Sequence, residues 1–127
     1  MSAPENLRYT KTHEWVLVEG DVATLGLTDH AQQELGDITY LELPESGDSV
    51  TSGEAFGVVE SVKAASDVYS PIDGEVVDRN ESAVDGPEVI NQSPYDGAWL
   101  IKVKMSDPSQ VEALMDPKTY DEYADEA

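Results

Sequence analysis

The chain is 127 residues long, enough for one domain with its own core and too short for two ordinary domains plus a linker. Its 27 acidic residues against 7 Lys and Arg give a formal net charge of -20. That balance argues against nucleic acid and anionic membrane as partners, because phosphate binding needs basic patches. With no cysteine, disulfides, zinc-thiolate sites and a cysteine nucleophile are excluded.

The acids run from Glu5 to Glu126, which favours a general surface adaptation over a single docking face for basic partners. This is the composition expected of a halophile's cytosolic protein, and a halophilic archaeon is the expected source. At about 1 M salt the Debye length is about 3 Å, so self-repulsion is screened and stability should rise with KCl. No apolar run reaches bilayer-spanning length, and "MSAPENLRYTK" carries neither a secretory apolar block nor an Arg-rich transit pattern. A soluble, cytoplasmic protein is expected.

In chain order, "EWVLVEGDVATLGL" from Glu14 reads as two strands joined at Gly20-Asp21. "TDHAQQELG" offers an N-cap at Thr28 and a stop at Gly36, predicting a short helix. "DITYLELP" alternates as a strand ending at Pro44. "AFGVVES" and "SDVYS" are strands on either side of Lys63, and "PIDG" turns the chain into a further strand, "EVVDRN". Gly53-Glu54 and Gly74-Glu75 stand ten residues before and eleven after the lysine, which suggests two related halves meeting at a hairpin. Glu81 to Ser93 reads as irregular, and "AWLIKVK" as the last strand. "DPSQVEALM" and "DPKTYDEYADEA" each open with an Asp cap and a first-turn Pro, predicting a helical extension over about 107–127 that ends as a frayed acidic tail.

His13 and His30 belong to no recognisable ligand pattern, and both read as structural or surface residues. Phosphate-cradling Gly-rich loops and the G-x-S-x-G elbow are absent from the sequence. Asn80-Glu81-Ser82 and Asn91-Gln92-Ser93 match the N-glycosylation pattern, which has no meaning in a cytosolic chain. The residue that stands out is Lys63 in "ESVKAAS". As an ordinary lysine it would be a solvated turn residue. At a rigid hairpin tip among small neighbours it is open to a modifying enzyme. A Schiff-base role would need burial or a nearby cation, whereas Glu60 and Asp67, if close, would favour the charged form.

Four segments together resemble the H protein of the glycine cleavage system, a lipoyl carrier: "KTHEWV", "GLTDHAQQELGDITYLELP", "ESVKAASDVYSPIDGEVVDRN" and "PEVINQSPYDGAWL". Biotin carriers instead typically flank the lysine with methionines, where Val62 and Ala64 stand here. The resemblance implies one carrier domain over residues 1–127, mostly β, a barrel-sandwich hybrid of the lipoyl/biotinyl-carrier type with short peripheral and C-terminal helices. It implies lipoate in amide linkage on Lys63, with Glu60, Ser61, Val62 and Ala64 as the modification motif. No catalytic residue and no metal site are expected.

The implied partners are a pyridoxal-phosphate glycine decarboxylase (P protein), a tetrahydrofolate-dependent aminomethyltransferase (T protein), dihydrolipoamide dehydrogenase (L protein) and a lipoate ligase or lipoyl transferase, with the carrier monomeric. The family tucks its loaded arm into a surface cleft, and the resemblance places Glu14 and Asp67 there, with Thr12 nearby, to hold the amine. A lipoyl scaffold for lipoate assembly or transfer is the second reading of the same lysine. Ala98 departs from the family's usual glycine before tryptophan and would be strained if that position needed a positive φ.

Overall fold

The computed structural model describes residues 6–126, and the element order among them is nine strands with short helices between and after them. Strands β1 (Arg8–Tyr9), β2 (Glu14–Glu19) and β3 (Val22–Leu27) lead to α1 (Asp29–Leu35). Then come β4 (Ile38–Glu42), β5 (Ser49–Val50), β6 (Ala55–Ser61), β7 (Ala65–Tyr69) and β8 (Gly74–Arg79). Helices α2 (Glu81–Asp85) and α3 (Val89–Gln92) precede β9 (Ile101–Met105), and a 3₁₀ helix (Pro108–Ala113) and α4 (Pro117–Glu126) close the chain.

The strands form two antiparallel sheets, one in the order β1-β2-β3-β9-β8-β5 and one in the order β4-β6-β7. Alternation decides what each strand gives to the core: Val16, Ala23, Leu25 and Val103 from the first sheet meet Leu41, Val59 and Val68 from the second in one buried cluster. A second cluster, of Leu7, Tyr9, Trp15 and Tyr120, fastens α4 to the β1–β2 end of the larger sheet. Trp15 pairs with Gly26, where a Cβ would come within 2.3 Å of the indole, so only glycine leaves the ring its place.

The predicted hairpin is present: Glu19 pairs with Val22 across Gly20-Asp21, and Gly20 takes φ +67°, as the first position of a type II′ turn. The Thr28 side chain accepts from Ala31 N, and Gly36 N–H closes on Gln32 O, so α1 has the cap and stop expected of it. Gly53-Glu54 leads into β6 and Gly74-Glu75 opens β8, so the two echoed segments feed different sheets.

Three expectations are revised. The segment read as irregular holds α2 and α3, the first capped by the Asn80 side chain accepting from Ala83 N. The strand read from Ala98 begins only at Ile101. Asp107 caps a helix as expected, of the 3₁₀ type, and α4 is anchored rather than frayed as far as Tyr120, which is 2% exposed and stacks on Tyr9 at 4.5 Å. Residue 127 of the predicted extension lies outside the described residues. Ala98 is not strained: His13 is the non-glycine residue with positive φ among those described, and Ala98 is buried in the main core.

Candidate functional site

Lys63 sits in the turn between β6 and β7. Ser61 explains how so short a connection is held: its N–H reaches Ala64 O at 2.7 Å, and its Oγ accepts from the N–H groups of Lys63 at 3.2 Å and Ala64 at 3.1 Å. Val62 N–H donates to Asp37 O at 3.1 Å, seating the tip on the residues between α1 and β4, while its side chain is 71% exposed. Lys63 is exposed, and its stem passes over Gly36, where a Cβ would lie 3.1 Å from Cε.

Glu60 pairs with Ala65, and Asp67 with Val58, so both carboxylates share the outer face of the small sheet. Among the described residues the ion pairs are Arg79–Glu81 and His30–Glu34, and Lys63 belongs to neither. The flanking acids therefore do not grip the lysine. Its exposure, instead, is what argues against a Schiff-base nucleophile.

A cleft of about 570 Å³ opens beside the β7 edge, with Thr10, Thr12, Glu14, Tyr69, Pro71 and Leu114 among its lining. Glu14 is 1% exposed at its wall. His13, at φ +69°, reverses the chain so that Thr10 and Thr12 converge on the following residue. The Thr10 hydroxyl donates to Glu14 Oε1 at 2.5 Å, the Thr12 hydroxyl donates to the same oxygen, and Tyr69 N–H donates to Oε2 at 3.2 Å. Burial raises the Glu14 pKa above the ordinary carboxylate value, and the bonds from Thr10, Thr12 and Tyr69 oppose that shift without cancelling it. Of the residues expected at the cleft, Glu14 and Thr12 line it. Asp67 does not; it is exposed two residues before Tyr69 on β7, between the lysine and the cleft in sequence.

Behind this loop stands a group the sequence reading missed. Tyr120 of α4 has its hydroxyl 2.7 Å from Thr28 Oγ1 and 2.8 Å from His13 Nδ1. The His13 ring lies 4.3 Å from that of His30, and burial first, then His30, lowers the His13 pKa. Both histidines thus stand at the loop's support, in keeping with the reading of each as a structural or surface residue. The available signal for Tyr120 was an aromatic pair, Tyr120 and Tyr123, in an otherwise acidic helix. Among the described residues no group of three or more His, Asp and Glu is placed to hold a metal ion.

Residues 7–127 match the glycine cleavage H-protein family. The chain belongs to that family. It is 52% identical over 126 residues to a glycine cleavage system H protein of Halothermothrix orenii, covering 99% of this chain and 98% of that one. To the H protein of Chromohalobacter salexigens it is 54% identical over 119 residues, covering 93% and 91%. Among solved structures it is similar to a glycine cleavage system H protein from Mycobacterium marinum, with a TM-score of 0.85 and 37% identity over 98% of both chains.

These likenesses show the barrel-sandwich fold of lipoyl carriers, with its two sheets and few short helices. Both relatives are bacterial, so an archaeal source gains no support. As an H-protein family member the chain is a non-catalytic lipoyl carrier of the glycine cleavage system, and family members hold lipoate covalently on a lysine. The residues fit that group: an exposed lysine on a stapled tip leaves its amine free for amide formation, and a largely apolar cleft with one buried carboxylate lies along the neighbouring strand edge.

Proposed function

We propose that Lys63 is the lipoate attachment site and that the chain serves three enzymes in turn: a glycine decarboxylase, an aminomethyltransferase and dihydrolipoamide dehydrogenase. The observation that carries the reading is the Ser61-stapled turn, which holds Lys63 exposed at the end of a two-stranded arm. When bound, lipoate supplies a disulfide that can take up a one-carbon amine and two electrons.

The chain's own residues present and shelter that group. Glu60, Ser61, Val62 and Ala64 form the surface read by a lipoate ligase or lipoyl transferase. Strand β7 rises about 3.4 Å per residue, so Ala65 to Tyr69 spans about 14 Å, a distance suited to a lysyl arm turning back along the strand. At its end Glu14 offers an acceptor for a cationic amine, and the cleft walls exclude water. Thr12 and Thr10 orient the carboxylate, and Asp67 serves as an exposed carboxylate on the way.

One carrier domain working as a cytoplasmic monomer, without nucleic acid, membrane or metal, fits this role, and its acidity suits a salt-rich cytosol. No helix among the described residues is long and apolar enough to cross a membrane. The test is glycine–CO2 exchange with purified decarboxylase. Exchange that depends on the lipoylated chain and is absent with the unmodified chain supports the reading; equal exchange with both contradicts it.

A further inference from the structure

Asn91, on α3, makes three side-chain hydrogen bonds across the α1–β4 junction, to Gln32 of α1, to Gly36 and to Ile38, the first residue of β4. Its Oδ1 accepts from Ile38 N–H at 2.9 Å, and its Nδ2 donates to Gly36 O and to Gln32 Oε1, each at 2.9 Å. Both polar atoms of the amide are therefore committed, which also leaves the sequon at Asn91 without a free acceptor nitrogen. Residues 36–38 are clamped at both ends. The residue between, Asp37, presents its carbonyl to Val62 N–H, and Gly36 lies under the Lys63 stem. Ile38 also pairs with Ser61, the staple of the turn.

The Val62 hydrogen bond, the Ser61 pairing and the Lys63 stem thus all run onto a strap of three residues that the Asn91 amide bonds at both ends. A substitution at Gly36 would be strained, since its φ of +80° favours glycine, and a Cβ there would press on the Lys63 stem. We propose that Asn91 is a positioning residue for Lys63: by clamping residues 36–38 it fixes how the hairpin tip presents the lysine to the enzyme that attaches lipoate. This rests on Lys63 being the attachment site. In the step it serves, the Nζ lone pair displaces adenylate from the ATP-activated carboxyl of lipoate, forms the amide and gives its proton to solvent.

Asn80 supplies a matched control. Its Nδ2 also spans two carbonyls, Gly97 O at 2.9 Å and Trp99 O at 2.7 Å, but it serves α2 and has no contact with the strap. Asn91→Asp and Asn80→Asp each turn donors into a carboxylate facing carbonyl oxygen. In molar KCl, lipoate attachment by a purified ligase with ATP is measured for both, with the KM for the carrier and kcat separated and the Val62 amide followed by NMR.

Asn91→Asp is expected to raise KM by about fivefold with kcat little changed, the equivalent of one lost hydrogen bond, and to shift the Val62 amide resonance. Asn80→Asp is expected to lower the melting temperature while leaving KM and Val62 in place. An unchanged KM in folded Asn91→Asp, or an equal rise in Asn80→Asp, overturns the proposal. Should Asn91→Asp not fold, Gln32→Leu removes one of the clamp's acceptors and must raise KM by about twofold; no rise overturns the proposal. Peptide mapping of the wild type is read separately, and modification on a lysine other than Lys63 overturns the parent reading along with this one.

Discussion

Removing one oxygen atom from α4 should unsettle the loop that builds the cleft. In Tyr120→Phe the ring keeps its stack on Tyr9, at 4.5 Å and 13° between planes, so the change isolates the hydroxyl. That hydroxyl joins buried Thr28 Oγ1 and half-buried His13 Nδ1, and each bond contributes about 1 kcal/mol net, for about 2 kcal/mol together. Unfolding entropy of about 2.1 cal/mol/K per residue makes 1 kcal/mol worth about 4 °C for 127 residues, so the expected fall in Tm is about 8 °C.

The assay is thermal unfolding in 2 M KCl, followed by near-UV circular dichroism. Tyr123→Phe is the comparison, because its hydroxyl donates to Lys11 O at 2.9 Å on the exposed side and should cost no more than about 2 °C. A fall below about 2 °C for Tyr120→Phe, or equal falls for the two variants, would refute the idea that this hydroxyl ties α4 to the His13 loop.

Other outcomes follow from the same contacts. His13 has its pKa lowered from 6.5, so the unfolded chain takes up the proton first, and His13 contributes stability above pH 6.5 that is lost as pH falls; His13→Asn, which tolerates positive φ, should remove that part of the slope in denaturant titrations. Glu14 has its pKa raised from 4.5, so its contribution is complete below pH 4.5 and is lost as pH rises through the folded value; Glu14→Gln should gain on the wild type over that interval. The same variant should release the aminomethyl group from the loaded carrier faster, and an unchanged half-life would remove Glu14 from the sheltering role. Stability should climb from dilute buffer to molar KCl as repulsion among 27 acidic residues is screened, and a flat Tm across that range would sink the salt-adaptation reading.

The lysine, its flanking strands and the Gly20 hairpin were legible because turn chemistry and period-2 alternation are local signals. Thr28 and Gly36 announced α1 in the same way. Tyr120 was not legible, because its hydroxyl matters only once α4 is folded back over 92 residues of chain onto Thr28. Asn91 was hidden for a related reason: a sequon and a segment lacking strand alternation concealed an amide bonded to residues 53 to 59 positions away. Asp67 lies outside the cleft lining although it shares a strand face with Tyr69, so its exclusion depends on how far along β7 the cleft extends, which no sequence period sets. The helix after Asp107 was legible but its 3₁₀ type was not, since an Asp cap followed by Pro opens α and 3₁₀ turns alike.

The account's central claim is that Lys63 is the attachment point. It is tested most directly by intact mass and peptide mapping after incubation with lipoate, ATP and a lipoate ligase, alongside Lys63→Arg. The prediction is one lipoyl adduct per chain, mapped to the peptide containing Lys63 and absent from the variant. An unmodified wild-type chain under conditions that lipoylate another carrier, or an adduct on a different lysine, would contradict it.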